Sequence, residues 1–207
     1  MGTYTLFGRP NAGSLAVQIV LEELQASYEV RWVEQSPEAV EGLRRLNYTG
    51  KVPALQLPDG TVIGESAAIL IHLAESAPGR ALAPAPGTAA HARFLQWMVY
   101  LSANVYDSAL RYYYAERYSA AGATVAAGIQ ARAAEEYTAH LTTLETVLAP
   151  YLLGATYSAA DPYLYMLAGW HPQADALRSR LPRLAHHAQL VRERAATRKA
   201  DAAHAPA

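Results

Sequence analysis

The 207-residue sequence contains no cysteine. Disulfides, cysteine-ligated zinc, iron–sulfur clusters and a cysteine nucleophile of the protein's own are thereby excluded. An excess of one charge is missing too: 17 basic and 18 acidic residues leave a formal net charge of -1. That balance argues against a protein built to grip nucleic acid or an anionic membrane. The most apolar run, residues 67–74, is interrupted by His72 and is far too short for a bilayer span. The start, MGTYTLFGRP, lacks the basic flank and apolar stretch of a signal peptide, so a cytoplasmic protein is expected. Seven histidines show no His-x-x-x-His spacing and no carboxylate pairing, so no metal is expected. The adjacent His186 and His187 read as surface residues. Lysine is scarce, with only Lys51 and Lys199, and so is phenylalanine beside tyrosine, 2 against 14.

What is present is a folded chain: 52% of residues are hydrophobic and 17% charged, which excludes disorder over most of the length. The first 80 residues change hydrophobic period repeatedly. Residues 3–7 form a β-type run, and from Gly13 the apolar positions Leu15, Ile19, Leu21 and Leu24 recur at helical intervals. Residues 28–33 alternate as a strand does. Residues 37–46 open on Ser36 as N-cap and Pro37 at the first helical position. Two short strands, 54–57 and 61–63, flank the turn Pro58-Asp59-Gly60, and 66–77 are helical. The order is βαβ, a helix, a hairpin and a closing helix, with the βαβ unit parallel and right-handed. The expected organisation is therefore an α/β domain over 1–78, a Pro/Gly-rich linker at 79–87, an all-helical domain over 88–200 and a frayed tail at 201–207. Within the helical domain the runs are 88–118, 125–148, 158–170 and 183–199.

Three local features of the first domain carry chemistry. Val52-Pro53 stands directly before a strand. The proline either simply opens that strand or holds a cis bond that leaves the Val52 N–H and C=O outward, free to pair with an extended peptide. Ser66 lies where the chain turns into a helix. It is either a plain N-cap or, with the first helical N–H groups, a carboxylate site, and Glu65 beside it suits an ammonium group. Together they match an amino-acid head group. The third feature, residues 8–14, connects the first strand to the first helix, where α/β folds place ligands. Ser14 there is either a cap or a hydroxyl donor to a thiolate.

These features, read together, resemble the cytosolic glutathione transferases. The residues that carry the resemblance are Asn47-Tyr48-Thr49-Gly50-Lys51-Val52-Pro53-Ala54-Leu55 and Gly64-Glu65-Ser66-Ala67-Ala68-Ile69. In the helical domain they are Leu153-Gly154 and Ser158-Ala159-Ala160-Asp161-Pro162-Tyr163. The resemblance implies a thioredoxin-like N-terminal domain, an all-helical C-terminal domain and a homodimer. It also implies glutathione as co-substrate and a small hydrophobic electrophile as second substrate, expected between the domains. Val52, presented by Pro53, would pair with the cysteinyl backbone of glutathione. Glu65 and Ser66 would hold its γ-glutamyl end, and Lys51 would reach a carboxylate or carbonyl. Ser158 and Asp161 fit a capping-box spacing and are read as structural.

The thiol must be activated. An ordinary thiol pKa is about 8.5, and lowering it by about two units takes roughly 2.7 kcal/mol. Family classes that use a strand-one tyrosine have Phe7 in its place here. Classes that use a cysteine in Gly-Ala-Cys-Ser-Leu have Asn11-Ala12-Gly13-Ser14-Leu15. The expected donor is Ser14, with Asn11 and Tyr106 as second donors and Arg9 adding positive potential. The competing reading of Tyr106, slightly favoured, is a core aromatic with its hydroxyl satisfied. The resemblance implies conjugation of glutathione. Glutathione-dependent isomerisation, dehalogenation or ether cleavage on the same scaffold, and a non-catalytic glutathione-binding or protein-interaction member, stand as alternatives.

Overall fold

A computed structural model describes residues 2–77, 79, 82–120 and 123–205. The chain divides into two compact units. The first is Met1–Ala83 together with Val191–Ala207, and the second is Pro84–Leu190.

The first unit is built on a four-stranded sheet of order β2-β1-β3-β4. Its strands are β1 (Tyr4–Gly8), β2 (Tyr28–Trp32), β3 (Ala54–Gln56) and β4 (Val62–Ile63). β1 and β2 are parallel, whereas β3 runs antiparallel to both β1 and β4. The parallel pair requires a crossover, and α1 (Ser14–Glu23) supplies it. α2 (Pro37–Arg44) follows β2, and Ser36 caps it through Oγ, which accepts the Ala39 N–H at 3.1 Å. α3 (Ser66–Glu75) closes the motif, and α1 and α3 pack on each other and on the sheet. This is the element order read from the changing period and the thioredoxin-like arrangement that the resemblance implies. Its core holds Leu6, Leu55, Val17, Val20, Ile69, Leu70 and Leu73, all without exposed surface.

The second unit is helical. α4 (Ala89–Tyr100) runs through a π-helical turn (Leu101–Tyr106) into α5 (Asp107–Tyr113) and a 3₁₀ turn (Ala115–Tyr118). α6 (Ala123–Val147), α7 (Ala160–Gly169), α8 (Ala174–Arg180) and α9 (Pro182–Arg192) complete it. The single run expected over 88–118 is thus broken by a wider turn, a feature of local hydrogen bonding that hydrophobic spacing does not encode. α8 has no counterpart among the expected runs. Three consecutive tyrosines end in three environments. Tyr113 donates to the Trp170 carbonyl, Tyr112 stands edge-on to Tyr113 at 4.9 Å, and Tyr114 lies under the Arg117 guanidinium at 4.0 Å.

The C-terminal segment differs from expectation in three ways. The helix expected over 183–199 is two helices, α9 and α10 (Ala195–His204). Residues from Val191 onward group with the first unit rather than with a helical domain ending at 200. The stretch expected to fray is helical through His204, while Pro206 and Ala207 of the expected tail lie outside the described residues, as do Arg80 and Ala81 of the expected linker. The reason is contact. α10 packs along α1, Arg194 forms a two-pronged ion pair with Glu23 at 2.5 and 2.9 Å, and Lys199 pairs with Glu22 at 2.8 Å. Thr197, Ala200 and His204, spaced three and four apart, form its buried face. The His204 ring sits edge-on to Trp32 at 5.0 Å.

His187 corrects the surface reading of the histidine pair. It has no exposed side-chain surface, and its Nε2 lies 3.1 Å from Asp161 Oδ1; His186 is exposed, as expected. The same Oδ1 accepts the Leu152 N–H at 3.0 Å, and Oδ2 accepts the Ser158 N–H and hydroxyl at 2.7 and 3.1 Å. The capping-box reading of Ser158 and Asp161 therefore holds in its reciprocal half, with the carboxyl reaching back to the Ser158 N–H. Among the described residues no helix is long and apolar enough to cross a membrane.

Candidate functional site

Strand pairing gathers the sequence features at one end of the sheet. Phe7 at the end of β1 pairs with Ala54 at the start of β3, so residues 9–13 leave the sheet beside Val52-Pro53. Leu55 pairs with Ile63, so Gly64-Glu65-Ser66 emerge at that same end. The side chains of Phe7, Leu43 and Ala54 form an apolar cluster beneath, with Val52 and Val62 packed on it. Phe7 is thereby a core residue, with no hydroxyl to offer.

The Val52–Pro53 peptide bond is cis. Pro53 is buried and Val52 half-buried. Among the described residues neither the N–H nor the C=O of Val52 has a hydrogen-bond partner. The loop before it is held by Asn47, which is 4% exposed. Asn47 Nδ2 donates to the Lys51 carbonyl at 2.9 Å, its Oδ1 accepts the Thr49 N–H at 3.4 Å, and its own carbonyl accepts the Gly50 N–H at 2.8 Å. The Asn47 amide also fills the space beside Gly64, where a Cβ would meet it at 3.2 Å. One buried amide thus ties the Lys51-Val52 segment to the approach to Glu65. Sequence reasoning does not single out this role, although the Asn-x-Thr-Gly spacing is that of a side chain bonding its own loop. The Lys51 side chain is exposed.

Glu65 precedes α3 with φ of 61° and ψ of 112°. A non-glycine residue there costs on the order of 1–3 kcal/mol, and such conformations cluster at ligand sites. The side chain is exposed, and among the described residues it has no ion-pair partner. Ser66 opens the helix, and the first intrahelical bond is Ile69 N–H to Glu65 O at 3.0 Å. The N–H groups of Ser66, Ala67 and Ala68 therefore lie ahead of the ladder, at the positive end of the dipole. Ser66 does not cap α3: no side-chain cap bond is made there, and its hydroxyl has no partner among the described residues. The site is a free hydroxyl and free amides beside a free carboxyl group, a fit for a carboxylate and an ammonium on one carbon.

The expected thiol donors fare unequally. Ser14 has no exposed surface. Its hydroxyl donates to the Arg9 carbonyl at 3.0 Å and accepts the Arg9 N–H at 3.1 Å. Its one O–H proton is given to the Arg9 carbonyl in this structure. Ser14 fastens the loop instead, and Gly8 makes room for it, since a Cβ at Gly8 would lie 2.9 Å from Ser14 Oγ. Arg9 is likewise committed. Its guanidinium donates to the carbonyls of Val33 and Glu34 at 3.0 and 3.1 Å, tying the end of β1 to the end of β2. Asn11 is an exposed polar residue of this loop, at φ of 53°. Tyr106 belongs to the second unit, on the π-helical turn, with its ring edge-on to Trp170 at 5.4 Å and 6.3 Å from the Tyr163 ring. No cluster of three or more metal-ligating side chains occurs among the described residues.

A thioredoxin-like sheet with this loop geometry, in a chain whose second unit is built of helices, defines the glutathione-transferase class of fold. Comparison with known proteins agrees. Residues 14–76 match the family model for the glutathione S-transferase N-terminal domain. A sphingomonad glutathione S-transferase, solved in complex with glutathione, is 32% identical, with 98% of this chain and 100% of that chain covered and a TM-score of 0.84. A glutathione transferase homologue from Sulfitobacter with bound glutathione superposes at a TM-score of 0.89 with 26% identity, covering 98% and 99% of the two chains. Glutathione S-transferase GstA of Escherichia coli O157:H7 is 26% identical over 193 residues, 92% of each chain. The chain belongs to the glutathione S-transferase family, enzymes that use glutathione as co-substrate.

Proposed function

We propose that this chain binds glutathione at the Val52 and Glu65–Ser66 end of the sheet and transfers it, as the thiolate, to a small electrophilic and predominantly aromatic or hydrophobic molecule. The observation that carries the reading is the pair of unpaired Val52 backbone groups, set in one sheet end with the free Ser66 hydroxyl and Glu65 carboxyl group. Paired with a cysteinyl N–H and C=O, Val52 would extend the sheet by one short antiparallel step. Ser66 and the N-terminus of α3 would take the γ-glutamyl carboxylate, and Glu65 its ammonium. Lys51 would meet a remaining carboxylate.

For the thiolate, the committed Ser14 hydroxyl leaves the Asn11 amide and the N-terminal end of α1 as donors. A hydrogen bond to an anion contributes about 1.5–3 kcal/mol and a helix terminus about 0.3–1 kcal/mol, enough for a shift of one to two pKa units. The cytoplasm, which keeps glutathione reduced, is the compartment such chemistry requires. The working form is a homodimer, consistent with apolar surface such as Tyr48, 88% exposed, and Val99, 60% exposed, that a second copy would cover.

Calorimetry with glutathione, followed by turnover of a chlorinated nitroaromatic acceptor, tests the reading. Binding with turnover is expected. Binding without turnover favours a non-catalytic glutathione carrier, and no heat at millimolar glutathione with folded protein ends the proposal.

A further inference from the structure

We propose that the first unit carries a second ligand site, at the C-terminal end of α1, for a small organic cation with an ammonium or guanidinium head. A cavity of about 630 Å³ opens there, lined chiefly by Gln18, Glu22, Gln25, Tyr28, Val30 and Lys199. That size is in the range of small-molecule sites. It lies at the start of β2, whereas Val52 and Ser66 lie at the end where β1 finishes and β3 begins, so occupancy does not depend on the glutathione site.

The chemistry of the cavity is that of an acceptor. Gln18 is 4% exposed, and its Nε2 donates to the Tyr28 oxygen at 3.1 Å. Tyr28 in turn donates its proton to Glu22 Oε1. Burial and the adjoining Glu22 push the Tyr28 phenol up to about 12, which keeps that proton in place. The direction of this chain fixes the Gln18 amide. Its nitrogen is spent on Tyr28, and Oε1 is left buried without a partner. An orphaned buried acceptor of this kind is rare and calls for a donor. Glu22 stands one helical turn on, 11% exposed at its side chain. The last turn of α1 carries Glu22 and Glu23 and no basic residue, at the negative end of the helix dipole. Each of these features attracts a cation and repels a carboxylate.

Two cations, Arg194 at the N-cap of α10 and Lys199 within it, already pair with these carboxylates, and neither reaches Gln18 Oε1. Arg194 is held by both oxygens of Glu23. Lys199 is held more loosely: its ammonium lies 2.8 Å from Glu22, and its side chain is 70% exposed. An exposed ion pair of that kind adds little stability, so a ligand cation that also satisfies Gln18 Oε1 can take its place. A guanidinium or primary ammonium has the several N–H donors needed to reach Gln18 Oε1 and the Glu22 carboxylate together.

The test is an amide-resolved NMR titration of the full chain at fixed ionic strength, with methylguanidinium and propylammonium as probes and propionate as the anionic control. Saturable shifts of the Gln18 side-chain amide and of the Tyr28 backbone amide are expected with the cations and not with propionate. Lys199→Ala, which removes the competing cation, is expected to tighten binding at least three-fold. Glu22→Gln is expected to weaken it at least ten-fold, with thermal melts of both variants reporting the fold. Three results would each overturn the proposal: no saturation by either cation in the native chain and in Lys199→Ala, equal shifts with propionate, or Lys199→Ala binding no tighter than the native chain. Should Glu22→Gln fail to fold, the Lys199→Ala comparison decides alone.

Discussion

Removing the Asp161 carboxyl group should unfold the second unit's α7 corner far more readily than removing the hydroxyl next to it. Asp161 is fully buried, and its two oxygens receive four donors: the N–H groups of Leu152 and Ser158, the Ser158 hydroxyl and the His187 ring nitrogen. Asp161→Ala leaves the two backbone N–H groups and His187 without their acceptor. Loss of one partner from a buried network of this kind costs about 3–5 kcal/mol, whereas Ser158→Ala removes a single hydroxyl bond at about 1 kcal/mol. In a chain of this size 1 kcal/mol moves the melting temperature by about 2–4 °C. Asp161→Ala should therefore melt about 6–20 °C lower and Ser158→Ala about 2–4 °C lower. Asp161→Asn, which keeps the shape but turns an N–H₂ toward one pair of donors, should fall between them. Calorimetric or fluorescence melts of the four proteins check the order. Equal melting temperatures for Asp161→Ala and Ser158→Ala would show that the four contacts are incidental and that the corner is held by apolar packing alone.

Glu65→Gly should raise the melting temperature, because glycine relieves the positive φ at no steric cost. It should also weaken glutathione binding about ten-fold or more, as the loss of a charge-assisted bond implies; melts and calorimetry on one sample read both signs. Asn11→Ala should raise the pKa of bound glutathione by about one unit, read from the ultraviolet thiolate absorbance. Ser14→Ala should instead lower stability by about 1–3 kcal/mol through the orphaned Arg9 groups; a thiol pKa that moved in Ser14→Ala and not in Asn11→Ala would reverse these roles. His204 provides a pH dependence. Burial lowers its pKa from the usual value near 6.5 to about 4. Between those values the unfolded chain binds the proton and the folded chain does not, so stability falls as pH drops from about 6.5 toward 4. His204→Leu should flatten that part of the pH–stability curve, as measured by urea midpoints; an unchanged slope would mean that the ring is not what titrates.

The βαβ start, the hairpin and the closing helix are legible in the sequence because each carries its own signal: a change of period, Pro37 after Ser36, and Pro58-Asp59-Gly60 between alternating runs. The candidate ligand end of the sheet is legible for the same reason, since Val52-Pro53 and Glu65-Ser66 stand at strand and helix edges, and an edge is a local property of the chain. Ser14 departs from expectation because its hydroxyl competes between an external anion and the Arg9 backbone. That choice depends on Gly8 admitting it to within van der Waals reach. His187 and His204 read as surface and tail because neighbours in sequence say nothing of Asp161, 26 residues away, or of Trp32 on another element.

The sequence by itself determined the order of elements, the absence of any sulfur nucleophile, and which residues edge the sheet, since short-range periodicity, turn chemistry and composition govern these. Only the tertiary structure decided which polar groups are already spent and which remain unpaired. A hydrogen bond is allocated by distance in space, and strand pairing, helix docking and burial fix those distances only when distant segments meet.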